Sequence, residues 1–302
     1  MGMAVSAMMV PCFENGVWAT MALETIPLSG SIGAEVTGVD LARLDDDTFS
    51  EIHRALLKHS VICFREQKLT PAQQLAFAER WGDIHLHPYL NGLPDCPEII
   101  EIVKEAGERN RFGDHWHTDQ IFTPAPAMAT MLYAKEVPPV GGDTMFASLH
   151  HAYDALSDGM KALACRLRTY NLYDKQAPRS RQMSAKIPDQ DKPSEPAVHP
   201  LVRVHPETGR RGLYINEMQT TRRLDGMTVE ESRPLIEYLV SHATRPEFTC
   251  RIRWDVGTLA IWDNRCLMHM ALDDYPDYRR VMHRITIKGD RPIGVGREDI
   301  AA

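Results

Sequence analysis

Three residues able to share one metal ion place the strictest condition on how this chain can fold. His117 and Asp119 stand two residues apart in Trp116-His117-Thr118-Asp119, while His269 lies far downstream in Trp262-Asp263-Asn264-Arg265-Cys266-Leu267-Met268-His269. On an extended strand the first pair shares one face, about 7 Å apart at the Cα level. A His-x-Asp pair alone is common by chance. It carries chemistry only if the fold brings His269 to it. A jelly roll does this, because it sets strands distant in sequence beside one another.

The rest of the pattern agrees with such a fold. Ile26 to Leu41 alternates between glycines, which suits short strands and turns. Asp45-Asp46-Asp47-Thr48 opens a helix with Phe49, Ile52, Leu56 and Leu57 at helical spacing. Ser60 to Phe64 is a short apolar strand, and Thr70-Pro71 is an N-cap followed by proline at the first helical position. Strands are expected over Glu98 to Val103 and on either side of the Pro138-Pro139 and Gly141-Gly142 turn, followed by a helix pair from Leu149 to Arg168. Strand signals return at Pro200 to Val204 and Arg211 to Asn216, and Thr228 with Glu231 forms a capping box for a helix to about His242. Phe248, Cys250, Ile252 and Trp254 then alternate, with further strands over Gly257 to Trp262 and Arg279 to Lys288. Many short strands, few helices and no βαβ rhythm imply a mainly β fold with flanking helices. One domain is expected over residues 23–295, after a flexible extension at 1–22. Residues 175–196 are polar and proline-rich and read as a loop, either a lid or a plain surface insertion.

Composition narrows the function classes. The chain of 302 residues has a net charge of −7 with no basic block, which argues against nucleic acid as a partner. No apolar run is long enough to cross a bilayer, so no membrane partner is expected. Its six cysteines show no CxxC spacing and read as free thiols of a cytoplasmic protein.

Two histidines and one carboxylate with coordination positions to spare form the ligand set of non-haem Fe(II) oxygenases. A zinc hydrolase using the same three ligands is the rival reading, and a non-enzymatic jelly-roll binding protein is another. Arg280 and Arg284 separate them. In Arg279 to Lys288 the side chains of Arg280, Met282, Arg284 and Thr286 share one face, opposite Val281, His283, Ile285 and Ile287. Two inward arginines need anions, since an unpaired buried charge is strongly disfavoured. A guanidinium also suits the distal carboxylate of a 2-oxo acid. The pattern thus calls for two anionic ligands, a co-substrate and a substrate.

These motifs, together with Gly141-Gly142-Asp143-Thr144, resemble the Fe(II)/2-oxoglutarate dioxygenases of the taurine and 2,4-dichlorophenoxyacetate type, in the expected order from about Ile26 to Pro292. The resemblance implies a double-stranded β-helix, a jelly roll of cupin-like form. It implies Fe(II) on His117, Asp119 and His269, with O₂ and 2-oxoglutarate as co-substrates. Thr144 and Arg280 would hold the distal carboxylate of 2-oxoglutarate, which leaves as succinate and CO₂, and Arg284 would lie near the anionic group of the substrate. His87 is similar to a substrate contact of the taurine enzymes. Tyr89, Gly113 and Phe146 occupy pocket positions where this chain departs from them, and Arg211 to Asn216 and Phe248 to Trp254 look closer to the aryloxypropionate enzymes. The implied substrate is a small or aromatic organic acid, an aryloxyalkanoate, sulfonate or sulfate ester, attacked at a carbon next to a heteroatom with cleavage of that bond. A homo-oligomer, dimer or tetramer, is expected on the same basis. Among the other histidines, His150-His151 reads as a cap or surface pair, His115 as a neighbour of the site, and His199, His205 and His283 as structural.

Overall fold

A computed structural model describes residues 23–86, 92–108, 113–173 and 195–296. Residues 1–22 and most of 175–196, with the extension and the loop expected there, lie outside the described residues, as do His87 and Tyr89.

Two sheets form the centre. The larger has seven strands: β1 (Glu24–Pro27), β2 (Ala34–Thr37), β3 (Val61–Phe64), β4 (Ile100–Lys104), β5 (Ala129–Glu136), β13 (Leu259–Asp263) and β15 (Arg280–Ile287), in the spatial order β1-β2-β3-β13-β5-β15-β4. Its pairs are antiparallel except β2 with β3. The smaller sheet contains β6 (Thr144–Ser148), β12 (Thr249–Ile252) and β14 (Leu267–Ala271), in the order β12-β6-β14. Strands β5 and β6, consecutive in sequence, therefore lie in different sheets, and the Gly141-Gly142 turn carries the chain from one to the other.

Strand periodicity decides what each face meets. From β3, β13 and β15, the residues Val61, Cys63, Ala260, Trp262 and Met282 point between the sheets. There they meet Phe146, Cys250, Ile252 and Leu267 of the smaller sheet. The alternate residues Ile62, Phe64, Leu259, Ile261, Ile285 and Ile287 pack outward against helices α1 (Asp46–His59) and α2 (Pro71–Glu79). Each such side chain contributes roughly 1.5–3 kcal/mol by leaving water. The two-faced reading of β15 holds: its aliphatic face is covered by helices and its arginine face looks inward.

Capping fixes where these helices begin. The Asp45 side chain accepts from the Thr48 N–H, and α1 ends at Ser60 in the left-handed region with φ 64°. Thr70 and Gln73 cap each other's backbone at the start of α2, with Pro71 following the cap. Behind the smaller sheet stand α3 (Leu149–Asp154), α4 (Asp158–Ala164) and α5 (Val229–Ala243), the last opened by the expected Thr228 and Glu231 box. Their core includes Leu149, Ile236, Leu239 and Met268.

The strands expected over Pro200 to Val204 and Arg211 to Asn216 are present as β9 (Val202–Val204) and β10 (Arg211–Leu213), which pair with each other. Three strands lie outside the expected pattern: β7 (Arg168–Asn171), β8 (Ala197–Pro200) and β11 (Thr221–Leu224), which form a separate three-stranded sheet. β14, which carries His269, gives no strand signal in the sequence, because all five of its residues are apolar or histidine and do not alternate. His150 corrects the surface expectation. It is buried, and its Nδ1 lies 2.8 Å from the Arg211 carbonyl, which can only accept, so the ring donates.

Candidate metal and anion site

His117 and His269 come together as backbone neighbours. The His117 N–H donates to the His269 carbonyl at 3.0 Å and the reverse bond measures 2.7 Å. This is an isolated bridge rather than a strand. The chain is extended at His117 and turns directly after Asp119, where Gln120 has φ 57°. His117 and Asp119 thus come together at a single bridge and the turn that follows it, outside any named strand.

One ligand atom from each of His117, Asp119 and His269 lies within 4.8 Å of the others. His117 Nε2 is 3.9 Å from Asp119 Oδ1, and His269 Nε2 is 3.9 Å from Asp119 Oδ2. At bond lengths near 2 Å adjacent ligands of one ion stand about 3 Å apart, so each of these histidine–carboxylate pairs lies within about 1 Å of a binding arrangement. The two rings are held in different ways. His117 donates from Nδ1 to the His115 carbonyl at 2.7 Å, which leaves Nε2 as the lone-pair nitrogen. His269 is held by packing against the rings of His117 at 4.2 Å and Trp262 at 4.8 Å. Burial pulls the His269 pKa well below the usual histidine value, so the ring is neutral as a ligand must be. Burial pushes the Asp119 carboxyl upward, but Arg284, the two histidines and the Thr130 hydroxyl together outweigh it and hold it below the usual carboxylate range.

Arg280 is a buried charge whose hydrogen-bonding capacity is only partly used: its side chain donates to Tyr275, and two of its nitrogens are left over. It is 9% exposed, and its Nε and Nη2 are buried with no hydrogen-bond partner among the described residues. Burial lowers its pKa, opposed by Tyr275 and Asp143, yet a guanidinium stays charged under these conditions. Its Cζ lies 5.8 Å from the centre of the Trp254 ring, and the Trp254 indole donates to Thr144 Oγ1 at 3.0 Å. Trp254 therefore joins Arg280 to Thr144, a role that its place in an alternating strand did not reveal. Thr144 follows directly on a tight turn. Gly141 has φ 82°, the Gly142 N–H donates to Asp274 Oδ1 at 2.7 Å, and the Arg251 side chain donates to Asp143 at 2.5 Å.

Arg284 differs from Arg280. Its Nη2 donates to Asp119 Oδ1 at 2.9 Å, while Nε is buried and unpartnered. Two inward arginines do not here require two anionic ligands: the protein's own Asp119 already serves Arg284, so charge compensation alone calls for one. Gly113 lies beside the His117 ring with φ 72°, where a Cβ would stand 3.4 Å from His117 Cε1. The His115 ring stacks on His117 at 4.8 Å. Phe146 is fully buried, faces His269 across the β6–β14 pair and packs on Trp262, which places it behind the His269 ring.

A second group, His205, Asp263 and Cys266, also has ligand atoms within 4.8 Å of one another. Its atoms are engaged with each other and with Arg265. His205 Nε2 lies 2.9 Å from Asp263 Oδ2, Arg265 holds both Asp263 oxygens, and burial pushes the Cys266 thiol far up. Arg265 occupies the place a cation would take.

The similarity to known proteins extends over about nine-tenths of the chain. The family model described as "Taurine catabolism dioxygenase TauD, TfdA family" matches residues 24–286. An alpha-ketoglutarate-dependent sulfate ester dioxygenase of Pseudomonas putida is 36% identical over 281 residues, 90% of this chain and 92% of that one. An (S)-phenoxypropionate/alpha-ketoglutarate dioxygenase of Sphingobium herbicidovorans is 33% identical over 89% of this chain and 96% of its own. Among solved structures, a taurine dioxygenase from Burkholderia xenovorans superposes with a TM-score of 0.78 at 38% identity, covering 92% and 94% of the two chains.

Proposed function

The chain belongs to the TauD/TfdA family and is a 2-oxoglutarate-dependent dioxygenase with its jelly-roll fold, and from that premise we propose that His117, Asp119 and His269 hold Fe(II) while Arg280 and Thr144 hold the distal carboxylate of 2-oxoglutarate. The observation that carries this is the buried guanidinium of Arg280, with two unpartnered nitrogens in the same fold as a three-ligand cluster. A buried charge left so is stabilised by an anion presenting two oxygens, and a carboxylate fits that fork. The donor set fits iron: two neutral imidazoles and one carboxylate leave positions for a co-substrate and O₂. When bound there, Fe(II) with 2-oxoglutarate and O₂ supplies an oxidant that removes hydrogen from an unactivated carbon, with release of succinate and CO₂.

The protein's own groups supply position and charge. Arg280 and Thr144 anchor one end of 2-oxoglutarate. The unpartnered Nε of Arg284 offers a donor to an anionic substrate beside Asp119, and Gly113 leaves room next to His117. The substrate class is a small organic anion: a sulfate ester, sulfonate or aryloxyalkanoate, a reading supported by relatives named for a sulfate ester and for a phenoxypropionate. Hydroxylation at a carbon bearing oxygen, nitrogen or sulfur gives a product that sheds that heteroatom. His87 and Tyr89 remain part of the proposed pocket on resemblance. A cytoplasmic location is also part of this reading, supported by five free thiols among the described residues, and a homo-oligomer is part of it on resemblance alone.

The test is succinate release from 2-oxoglutarate with Fe(II) and ascorbate, across alkyl sulfates, sulfonates, aryloxyacetates and aryloxypropionates. Stimulation by one class identifies the substrate group. Undiminished turnover by an Asp119→Ala protein would overturn the assignment.

A further inference from the structure

The Asp119 carboxylate is approached from the core by a chain of side chains whose hydrogen bonds can run in only one direction. The Trp262 indole N–H donates to Asn264 Oδ1 at 3.0 Å, Asn264 Nδ2 donates to Thr130 Oγ1 at 3.0 Å, and Thr130 Oγ1 donates to Asp119 Oδ2 at 2.6 Å. An indole N–H cannot accept, so the amide oxygen must face it and the amide NH₂ must face Thr130. Having accepted there, the hydroxyl spends its single proton on Asp119. The backbone N–H of Asp119 reaches the same amide oxygen at 3.4 Å.

Nothing in this chain is loose. Trp262, Asn264 and Thr130 are each at most 1% exposed, and Trp262 faces Thr130 directly across the β13–β5 pair. Asn264 is pinned by its own backbone, its N–H donating to the Met128 carbonyl at 2.9 Å and its carbonyl accepting from Thr118 Oγ1 at 2.7 Å. Arg284 takes the other carboxylate oxygen from a side chain that is part-exposed.

We propose that Thr130 and Asn264 are positioning residues of the metal site. Acting through Asp119, their hydrogen bonds fix the carboxylate plane and so raise the affinity of His117, Asp119 and His269 for a divalent ion. The proposal rests on the metal reading above. It concerns how tightly the metal is held rather than which substrate is oxidised.

The test is anaerobic titration of the full chain with Co(II), without 2-oxoglutarate or substrate, reading the dissociation constant and the visible Co(II) bands. Thr130→Val keeps the shape and removes the donor. It is expected to weaken Co(II) binding about 10- to 100-fold and to alter the bands, as loss of a partner of a metal ligand does. Thr130→Ser, which restores the hydroxyl, is expected to return both to wild-type values. Asn264→Asp, which cannot donate to Thr130, is expected to weaken binding as Thr130→Val does. A Thr130→Val dissociation constant within twofold of wild type, or a Thr130→Ser protein as weak as Thr130→Val, would overturn the proposal. If Thr130→Val does not fold, Thr130→Ala against Thr130→Ser decides it by the same two criteria. A wild-type chain that binds no Co(II), with His117→Ala no different, would remove the metal reading and this proposal with it; binding indifferent to Thr130 and Asn264 would remove the proposal alone.

Discussion

Two arginines lie almost equally deep in this protein and live in opposite circumstances. Arg265 is 6% exposed and Arg280 is 9% exposed. Arg265 sits in the turn between β13 and β14, donates from Nε and Nη2 to both oxygens of Asp263 and reaches Glu207 at 2.7 Å. Arg280 has no carboxylate within ion-pair distance among the described residues, and two of its nitrogens have no partner. The first neutralises a buried carboxylate and ties the Trp262-Asp263-Asn264-Arg265 turn to the fold. The second is complete only with a ligand. Unpartnered nitrogens alone do not make a site, since buried Arg203 also has two, but Arg203 keeps Asp290 at 2.7 Å. What marks Arg280 is that no carboxylate lies within ion-pair distance among the described residues, Asp143 acting on it only from farther away.

Removing each charge breaks this comparison most directly. Arg265→Met leaves Asp263 buried beside His205 with its main counter-charge gone. A loss of about 3–5 kcal/mol of stability is expected, measured by urea unfolding of the metal-free protein. A loss under 1 kcal/mol would show that His205 alone compensates Asp263.

Arg280→Met exchanges an uncompensated charge for an apolar side chain of similar length, so the unliganded fold is expected to keep or gain stability. Its cost falls on the ligand. Affinity for 2-oxoglutarate is expected to drop by about 2–5 kcal/mol, as when one partner of a buried charge pair is truncated. Isothermal titration of the Co(II)-loaded protein checks this. Unchanged 2-oxoglutarate affinity would mean that the distal carboxylate rests elsewhere.

A pH scan sharpens the contrast between structural and ligand-binding groups. Burial pushes His150 and His199 down to about 4. Both are structural: His150 donates to the Arg211 carbonyl, and His199 Nε2 lies 2.9 Å and 3.0 Å from the carbonyls of Ile121 and Thr123, just past Asp119. An unfolded histidine titrates near 6.5, so between these values the unfolded chain binds more protons and stability rises with pH. This contribution is full above about 6.5 and is lost as pH falls towards about 4. At ~1.4 kcal/mol per unit, each ring is expected to cost the fold about 1–2 kcal/mol between pH 7 and pH 5. Urea midpoints at the two values, for wild type and His199→Gln, measure the share of His199. Parallel pH dependence in the two proteins would assign the loss elsewhere.

How far the sequence disclosed these regions follows from their physics. The clustering of His117, Asp119 and His269, the jelly roll and the inward face of Arg280 to Thr286 were legible, because strand alternation and metal-ligand chemistry both leave marks at short range. Strand β14 was not, since buried strands without alternation look like any apolar run. The relay from Trp262 to Asp119 was also hidden, because Thr130 and Asn264 meet only through register across β5 and β13. Arg284 misled the charge count because nothing local to β15 shows that Asp119 reaches its guanidinium.

The smallest effect is expected where the anion end of the site is built by backbone alone. Gly141 has φ 82°, and a Cβ there would stand 2.7 Å from Asp274 Oδ1, the atom that accepts from the Gly142 N–H. Gly141→Ala therefore strains a left-handed backbone and displaces the carboxylate that closes the turn, at a cost of about 1–2 kcal/mol. Because Thr144 starts β6 directly after this turn, the shift is expected to raise the KM for 2-oxoglutarate a few-fold with metal affinity unchanged. Asp274→Asn, which keeps an acceptor at the same place, is expected to leave that KM near wild type. If Gly141→Ala lowered Co(II) affinity and spared the KM, the turn would belong to the metal end, and the division between the two ends would have to be redrawn.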